Sequence, residues 1–202
     1  MDESGMNEEH HLTEMTIEGK PVQIYDNFLE TKLFKPMQEI LLGPTFPWLY
    51  NDKITAGKYN GIKQLDNVNV VRHQDDDVFQ FSHLFFVGPR QIGWSTQTVN
   101  ITPVLNAIAP RAWVRIKINL GTRDPEHTIG GWHSDAKIGA PSANLTTAVF
   151  YMNTNNGYTL LETEKIESIE NRLLVFPSDM LHTGVSQTDT KLRVTLNLNF
   201  FI

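Results

Sequence analysis

Gly130-Gly131-Trp132-His133-Ser134-Asp135 is the stretch that decides the reading of this chain, and His182 and Arg193 follow it. Two imidazoles and one carboxylate on one face of a metal ion are the donor set of mononuclear non-haem iron(II) centres, which leave the other positions open. In an extended strand, residues two apart point to the same face. His133 and Asp135 can therefore reach one ion while Ser134 points away. His182 must then arrive from a different strand.

Arg193 lies eleven residues beyond His182, and Gln187-Thr188-Asp189-Thr190-Lys191 between them is polar and turn-like. A hairpin turning near Thr188 and Asp189 predicts Thr195 opposite His182 and Arg193 opposite Gly184, all on one inward face. Gly184 has no side chain and leaves a slot between metal and guanidinium. A dicarboxylate fits such a slot, one end on the metal and the other taking a charge-assisted bond from Arg193.

From Arg111 the hydrophobic period becomes two. Ala112, Val114, Ile116, Ile118 and Leu120 alternate with Arg111, Trp113, Arg115, Lys117 and Asn119. The last strand repeats the pattern: Val194, Leu196, Leu198 and Phe200 against Arg193, Thr195, Asn197 and Asn199. A polar inward face suits a ligand cavity rather than a plain sandwich core. The expected fold is mainly β with flanking helices, a double-stranded β-helix of jelly-roll or cupin-like form.

With these residues the chain resembles the 2-oxoglutarate/iron(II)-dependent oxygenases, and within them the prolyl 4-hydroxylase-like branch. The resemblance rests on Gly130 to Asp135, Thr146 to Asn153, Asn156-Gly157-Tyr158-Thr159, Asn171 to Pro177 leading to His182, and Arg193-Val194-Thr195. It spans about residues 111–202, and the opening Val22 to Leu29 is similar to the strand that often begins such domains. It implies a dioxygenase that hydroxylates a prime substrate, using iron(II), 2-oxoglutarate and O2, with ascorbate as an accessory reductant. The prime substrate would be a peptide or protein, with peptidyl proline as the branch-level expectation, or a small molecule. His133, Asp135 and His182 would be the metal ligands and the catalytic centre. Related halogenating enzymes lack the carboxylate, so Asp135 favours hydroxylation or another oxidation.

The resemblance also gives expectations for the co-substrate site. Arg193 would hold the far carboxylate of 2-oxoglutarate, Tyr151 would bond the same group through its hydroxyl, and Thr195 matches a hydroxyl position seen in part of the superfamily. Tyr151 and Thr195 also read simply as a core tyrosine and a β-forming threonine. Val149 shares Tyr151's face and could pack on the methylenes. Asn119 is a candidate for the metal-proximal carboxylate, although Leu120-Gly121 departs from the aromatic that many relatives carry nearby. His127 reads as a loop residue rather than a further ligand. Trp132 reads either as a wall of the substrate entrance or as packing beneath the loop.

Composition agrees with an enzyme domain. The 202 residues are 40% hydrophobic, with 11 Phe and 4 Trp, enough for one core. No run of about 18 apolar residues marks a membrane span. Met1 to Glu14 is acidic and polar, unlike a signal peptide, and is expected to be a flexible tail before a single domain over 15–202. The absence of cysteine excludes disulfides and thiolate chemistry and suits a reducing cytoplasm. A net charge of −6 argues against a dedicated nucleic-acid partner, which needs clustered Lys and Arg.

Ahead of the site, Val22 to Tyr25 predicts a strand. Leu33, Phe34, Met37, Ile40 and Leu41 predict an amphipathic helix over 31–42, ended by Gly43-Pro44. Residues 44–94 show no regular pattern, and Asp75-Asp76-Asp77 within them reads as a solvated loop. Val99, Val104, Leu105 and Ile108 predict a second helix closed by Pro110. Two other classes stay open. A cupin-like metal enzyme without 2-oxoglutarate would not need Arg193, and a non-catalytic binding barrel would not hold iron.

Overall fold

The computed structural model describes residues 10–52, 71–72, 79–88, 93–135 and 144–202. In chain order the elements are β1 (His11–Ile17), β2 (Lys20–Asp26), α1 (Thr31–Leu42), β3 (Leu49–Asn51), β4 (Val71–Arg72) and β5 (Gln80–Val87), followed by a 3-10 turn (Thr96–Ile101) and α2 (Thr102–Ile108). Then come β6 (Ala112–Thr122), β7 (Thr128–Ile129), β8 (Leu145–Tyr151), β9 (Tyr158–Leu161), β10 (Glu164–Glu167), β11 (Arg172–Pro177), β12 (His182–Val185) and β13 (Leu192–Phe201).

The strands make two sheets. The larger has the order β1-β2-β11-β8-β13-β6-β5-β3, and the smaller β10-β9-β12-β7-β4. All pairings are antiparallel except β4 with β7. This is the double-stranded β-helix expected from the sequence. No helix among the described residues is long and apolar enough to cross a membrane.

The period-two pattern on β6 and β13 builds the larger sheet. Val114, Ile116, Ile118 and Leu120 are buried, as are Val194, Leu196, Leu198 and Phe200, while Ala112 at the strand's start is exposed. These side chains pack with Phe34, Met37 and Leu41 of α1 and with Ile101 and Val104. Phe34 meets Phe150 of β8 edge to face at 5.9 Å. Each such buried side chain stabilises the fold by about 1.5–3 kcal/mol relative to exposure. α1 spans the expected 31–42, and Gln38 anchors it by donating to the Met152 carbonyl at 2.6 Å. α2 ends where expected, at Ala109, which takes the left-handed conformation before Pro110.

A second apolar cluster lies between the sheets. Val22, Ile24, Val149, Leu174 and Phe176 of the larger sheet meet Leu161 and Ile166 of the smaller one.

Four sequence expectations are corrected. The tail expected through Glu14 is already strand from His11, because β1 pairs with β2 along its whole length across a two-residue turn, Glu18-Gly19. Both turn residues have positive φ, 49° and 76°, the geometry that such hairpins need and that glycine adopts without strain. The stretch 44–94 contains β3, β4 and β5. In β5 a register shift between Leu84 and Phe86 breaks the period of two that would have marked a strand. Third, β12 and β13 are not hydrogen-bonded neighbours. β12 joins the smaller sheet and β13 the larger, so the polar segment between them carries the chain across the barrel. Fourth, His133 to Asp135 is not a strand: His133 forms an isolated bridge, and Asp135 already belongs to the next turn. Asp75-Asp76-Asp77 lies outside the described residues.

Candidate metal centre and co-substrate cavity

His133 and His182 come together through their backbones. Each donates its N–H to the other's carbonyl, at 3.1 and 2.9 Å, in an isolated antiparallel bridge. Their rings lie 4.3 Å apart between centroids. The Nδ1 of His133 donates to the Gly131 carbonyl at 2.9 Å, and that of His182 to the Met180 carbonyl at 3.1 Å. A carbonyl only accepts, so both Nδ1 atoms carry a proton, and Nε2 is the ring atom each histidine has to offer a metal. Burial, then the neighbouring His133, pulls the His182 pKa down to about 4, so its imidazole is neutral at ordinary pH.

Asp135 lies in the turn after His133 and is held by side chains of the larger sheet. Its Oδ1 accepts from Arg115 at 3.2 Å, and its Oδ2 from Thr147 at 3.0 Å and Asn199 at 2.9 Å. These three donors form one cross-strand row: Asn199 of β13 stands opposite Arg115 of β6 and opposite Thr147 of β8. Asn199 also accepts from Arg115 Nε at 3.1 Å and donates to Thr147 at 3.0 Å, which locks the row. Burial would raise the Asp135 pKa, but His182, Arg115 and the Asn199 bond hold it below its ordinary value. The carboxylate is thus charged and oriented.

Ligating atoms of His133, Asp135 and His182 all lie within 4.8 Å of one another. Two imidazoles with Nε2 available and one ionised carboxylate are a donor set that fits a divalent iron ion. The sequence identified the three residues. It did not identify Arg115, Thr147 and Asn199 as what aims Asp135, although Arg115 and Asn199 belong to the polar faces already visible on β6 and β13.

The three side chains line a cavity of about 510 Å³ between the sheets, which Arg193 and Thr195 also line. Arg193 reaches across from β13 toward β12. A methyl group built on Gly184 would sit 3.6 Å from its Nη1, so the predicted juxtaposition holds although the strands are not paired. Arg193 donates from Nε to Ser168 Oγ at 3.0 Å and from Nη2 to Thr159 Oγ1 at 3.4 Å. Among the described residues it makes no ion pair with a carboxylate. Burial lowers its pKa, and burying a cation without an anionic partner is costly.

Tyr151 is fully buried, and its ring lies 5.9 Å from the Arg193 guanidinium carbon. Its hydroxyl donates to Thr159 Oγ1 at 2.8 Å, and burial raises its pKa, so it stays protonated. It therefore touches the cavity through Thr159, a cavity-lining residue that sequence reasoning missed. Thr195 is buried in the row between Asn119 and Tyr151. Val149 and Asn119 line the cavity as well, and among the described residues the buried Asn119 Oδ1 has no donor. His127 is turned away, its Nδ1 donating to the Ser186 carbonyl at 2.7 Å. Trp132 packs with Tyr158, Leu160 and Val185 rather than walling the entrance.

No protein-family model matches this sequence, and no curated protein does either. Solved structures do match. A prolyl hydroxylase from Trichoplax adhaerens, in complex with a hypoxia inducible factor oxygen degradation domain peptide fragment, superposes with a TM-score of 0.50 at 17% identity, over 89% of this chain and 83% of that one. The non-heme alpha ketoglutarate dependent epimerase SnoN from nogalamycin biosynthesis gives 0.53 at 10% identity, over 89% and 78%. At these identities the shared property is the fold.

Proposed function

We propose that the chain is an iron(II)- and 2-oxoglutarate-dependent oxygenase that hydroxylates a prime substrate, with His133, Asp135 and His182 as the metal ligands and catalytic centre. The observation that carries this reading is Arg193: a buried guanidinium without a carboxylate partner among the described residues, in the same cavity as the three ligands. A ligand carboxylate would satisfy it, and a 2-oxo acid with a second carboxylate provides one while chelating the metal. A metal barrel that uses no such acid has no need of this arginine.

In this reading, the iron and 2-oxoglutarate supply oxidative decarboxylation of the co-substrate by O2, coupled to oxidation of the prime substrate. The residues of the chain do the rest. The two imidazoles bind through Nε2 while their Nδ1 bonds fix ring direction. The row Arg115, Asn199 and Thr147 holds Asp135 ionised. Arg193 takes the far carboxylate, braced by Ser168 and Thr159, and Tyr151 orients Thr159 from behind. Thr195 would add a hydroxyl beside the same group. Val149 presents an apolar wall for the methylenes.

Peptidyl proline is the prime substrate this reading favours at the finer level. Its support is the fold shared with a peptide-bound prolyl hydroxylase, which is support by analogy. The active unit would be one domain from β1 to the end of β13, and the missing cysteines suit a reducing cytoplasm. The test is to incubate the reconstituted ferrous protein with 2-oxoglutarate and O2 in the presence of proline-containing peptides, free amino acids and nucleobases. Succinate formation together with a one-oxygen mass gain on one substrate supports the proposal. No 2-oxoglutarate binding by the anaerobic ferrous protein overturns it.

A further inference from the structure

One charged group in the cavity has no part in the reading above. Lys117 lines the cavity from β6, half-buried, and makes no hydrogen bond or ion pair among the described residues. It stands opposite Asn197 of β13. The Asn197 side chain lines the same cavity, and among the described residues its buried Oδ1 has no donor. This row lies between the one that holds Asp135, Arg115 with Asn199, and the next, Asn119 with Thr195. Lys117 is thus one step along the strand from the residues that aim a metal ligand.

Charge argues for a further anion. Among the described residues, the charged side chains lining the cavity, the two candidate-ligand histidines aside, are Arg115, Lys117, Asp124, Asp135 and Arg193. Ferrous iron and dianionic 2-oxoglutarate cancel one another, and the two aspartates cancel the two arginines. The ammonium of Lys117 is left over. Burial, and then the neighbouring Arg115, already lower its pKa, so its charge is held at a cost that an anion would relieve.

We propose that Lys117 and Asn197 form an anion subsite for the prime substrate, taking a carboxylate through the ammonium and an adjacent N–H or O–H through the asparagine amide. The pair narrows the peptidyl-proline reading: it selects a residue whose own carboxylate is free, at a chain terminus, over one in a neutral interior segment. This subsite rests on the reading of the cavity as an iron and 2-oxoglutarate centre. A carboxylate in this row could also be the metal-proximal one of the co-substrate, and the two sources are separable.

The experiment uses the anaerobic ferrous protein and two titrations followed by calorimetry. The first measures 2-oxoglutarate affinity in wild type, Lys117→Met, Lys117→Gln and Lys117→Arg. The second adds N-acetylproline, N-acetylalanine or N-acetylleucine, each against its carboxamide, to the 2-oxoglutarate-saturated protein. The expected result is equal 2-oxoglutarate affinity throughout, and an acid-over-amide preference of about tenfold or more in wild type and Lys117→Arg that is lost in the two neutral variants. A tenfold drop in 2-oxoglutarate affinity in both neutral variants reassigns Lys117 to the co-substrate and overturns the proposal. So does a wild type without acid preference, or a neutral variant that retains it. A wild type that binds no 2-oxoglutarate overturns both this reading and the proposed function, whereas normal co-substrate binding with Lys117 silent overturns only this one.

Discussion

His133 and His182 are hydrogen-bonded to each other through their backbones, each giving its N–H to the other's carbonyl. The separation of two of the three candidate ligands is therefore set by the chain itself. The third, Asp135, is held from the opposite sheet by Arg115, Thr147 and Asn199. The candidate centre is built across the barrel, from a backbone bridge on one side and a row of side-chain donors on the other.

His133→Ala and His182→Ala are each expected to abolish tight iron binding, since each removes one of three protein donors while leaving the backbone bridge intact. Iron content after anaerobic reconstitution checks this. Asp135→Ala is expected to abolish hydroxylation. Undiminished iron in the His182 variant would remove that residue from the centre.

Asn199→Ala tests the row behind Asp135. It deletes a fully buried amide that donates to Asp135 and accepts from Arg115. Loss of such an orienting partner weakens metal binding by about 10- to 100-fold. A competitive titration with a metal-binding dye measures the change. Unaltered affinity would mean that Asp135 is positioned without Asn199.

The metal-free protein should lose stability in acid through His182. Its folded pKa of about 4 lies below the ordinary 6.5, so the unfolded chain takes up the proton first. The contribution is complete above about 6.5 and declines until the pH reaches about 4, a total of roughly 3 kcal/mol. The depressed Asp135 pKa acts in the same direction, below its ordinary 3.8. Urea midpoints of the metal-free protein across this range should fall more steeply for wild type than for His182→Leu. Parallel slopes would contradict the assignment.

The helix α1, the alternation on β6 and β13, the convergence of His133, Asp135 and His182 and the placement of Arg193 near Gly184 were all legible because each is a local pattern or a short motif. The partners of β12 and β13 were not. Spacing around Thr188 and Asp189 shows that the chain turns back, and Arg193 does come close to Gly184, but the approach is face to face across the barrel. A period of two fixes which side chains share a face and leaves open which strand lies alongside. β1 escaped notice because it is an edge strand, with most of its residues exposed and little hydrophobic alternation to mark it. β5 was hidden by its bulge, which puts Phe85 in the core next to a half-buried Phe86. Thr159 and Ser168, which brace Arg193, lie in the region from β9 to β11. Thr159 stands in a run that carries the resemblance, but nothing in its sequence context marks it for a site role, and Ser168 reads as an ordinary loop residue.

Two glycines near Arg193 should respond differently to the same substitution. A Cβ on Gly157 would lie 2.9 Å from Arg193 Cδ, 2.9 Å from the Val185 carbonyl oxygen and 2.8 Å from Asn155 Oδ1. One on Gly184 meets only Arg193 Nη1, at an ordinary 3.6 Å. Gly157→Ala must displace the arginine or its surroundings and is expected to weaken 2-oxoglutarate binding by about tenfold or more, as for a lost charge-assisted bond. Gly184→Ala should bind nearly as wild type. The reverse order of affinities would contradict the seating of Arg193 against Gly157.

The most direct measurement is made on Arg193→Met, which keeps length and apolar contact and removes the guanidinium. Titration of the anaerobic ferrous protein with 2-oxoglutarate, followed by the visible charge-transfer band, is expected to show a loss of about 2–5 kcal/mol, roughly 30- to several thousand-fold in affinity. Iron binding should be nearly unchanged, because Arg193 is not among the clustered ligating residues. Equal 2-oxoglutarate affinity in wild type and Arg193→Met would contradict the assignment of Arg193 and, with it, the case for a 2-oxoglutarate-dependent enzyme.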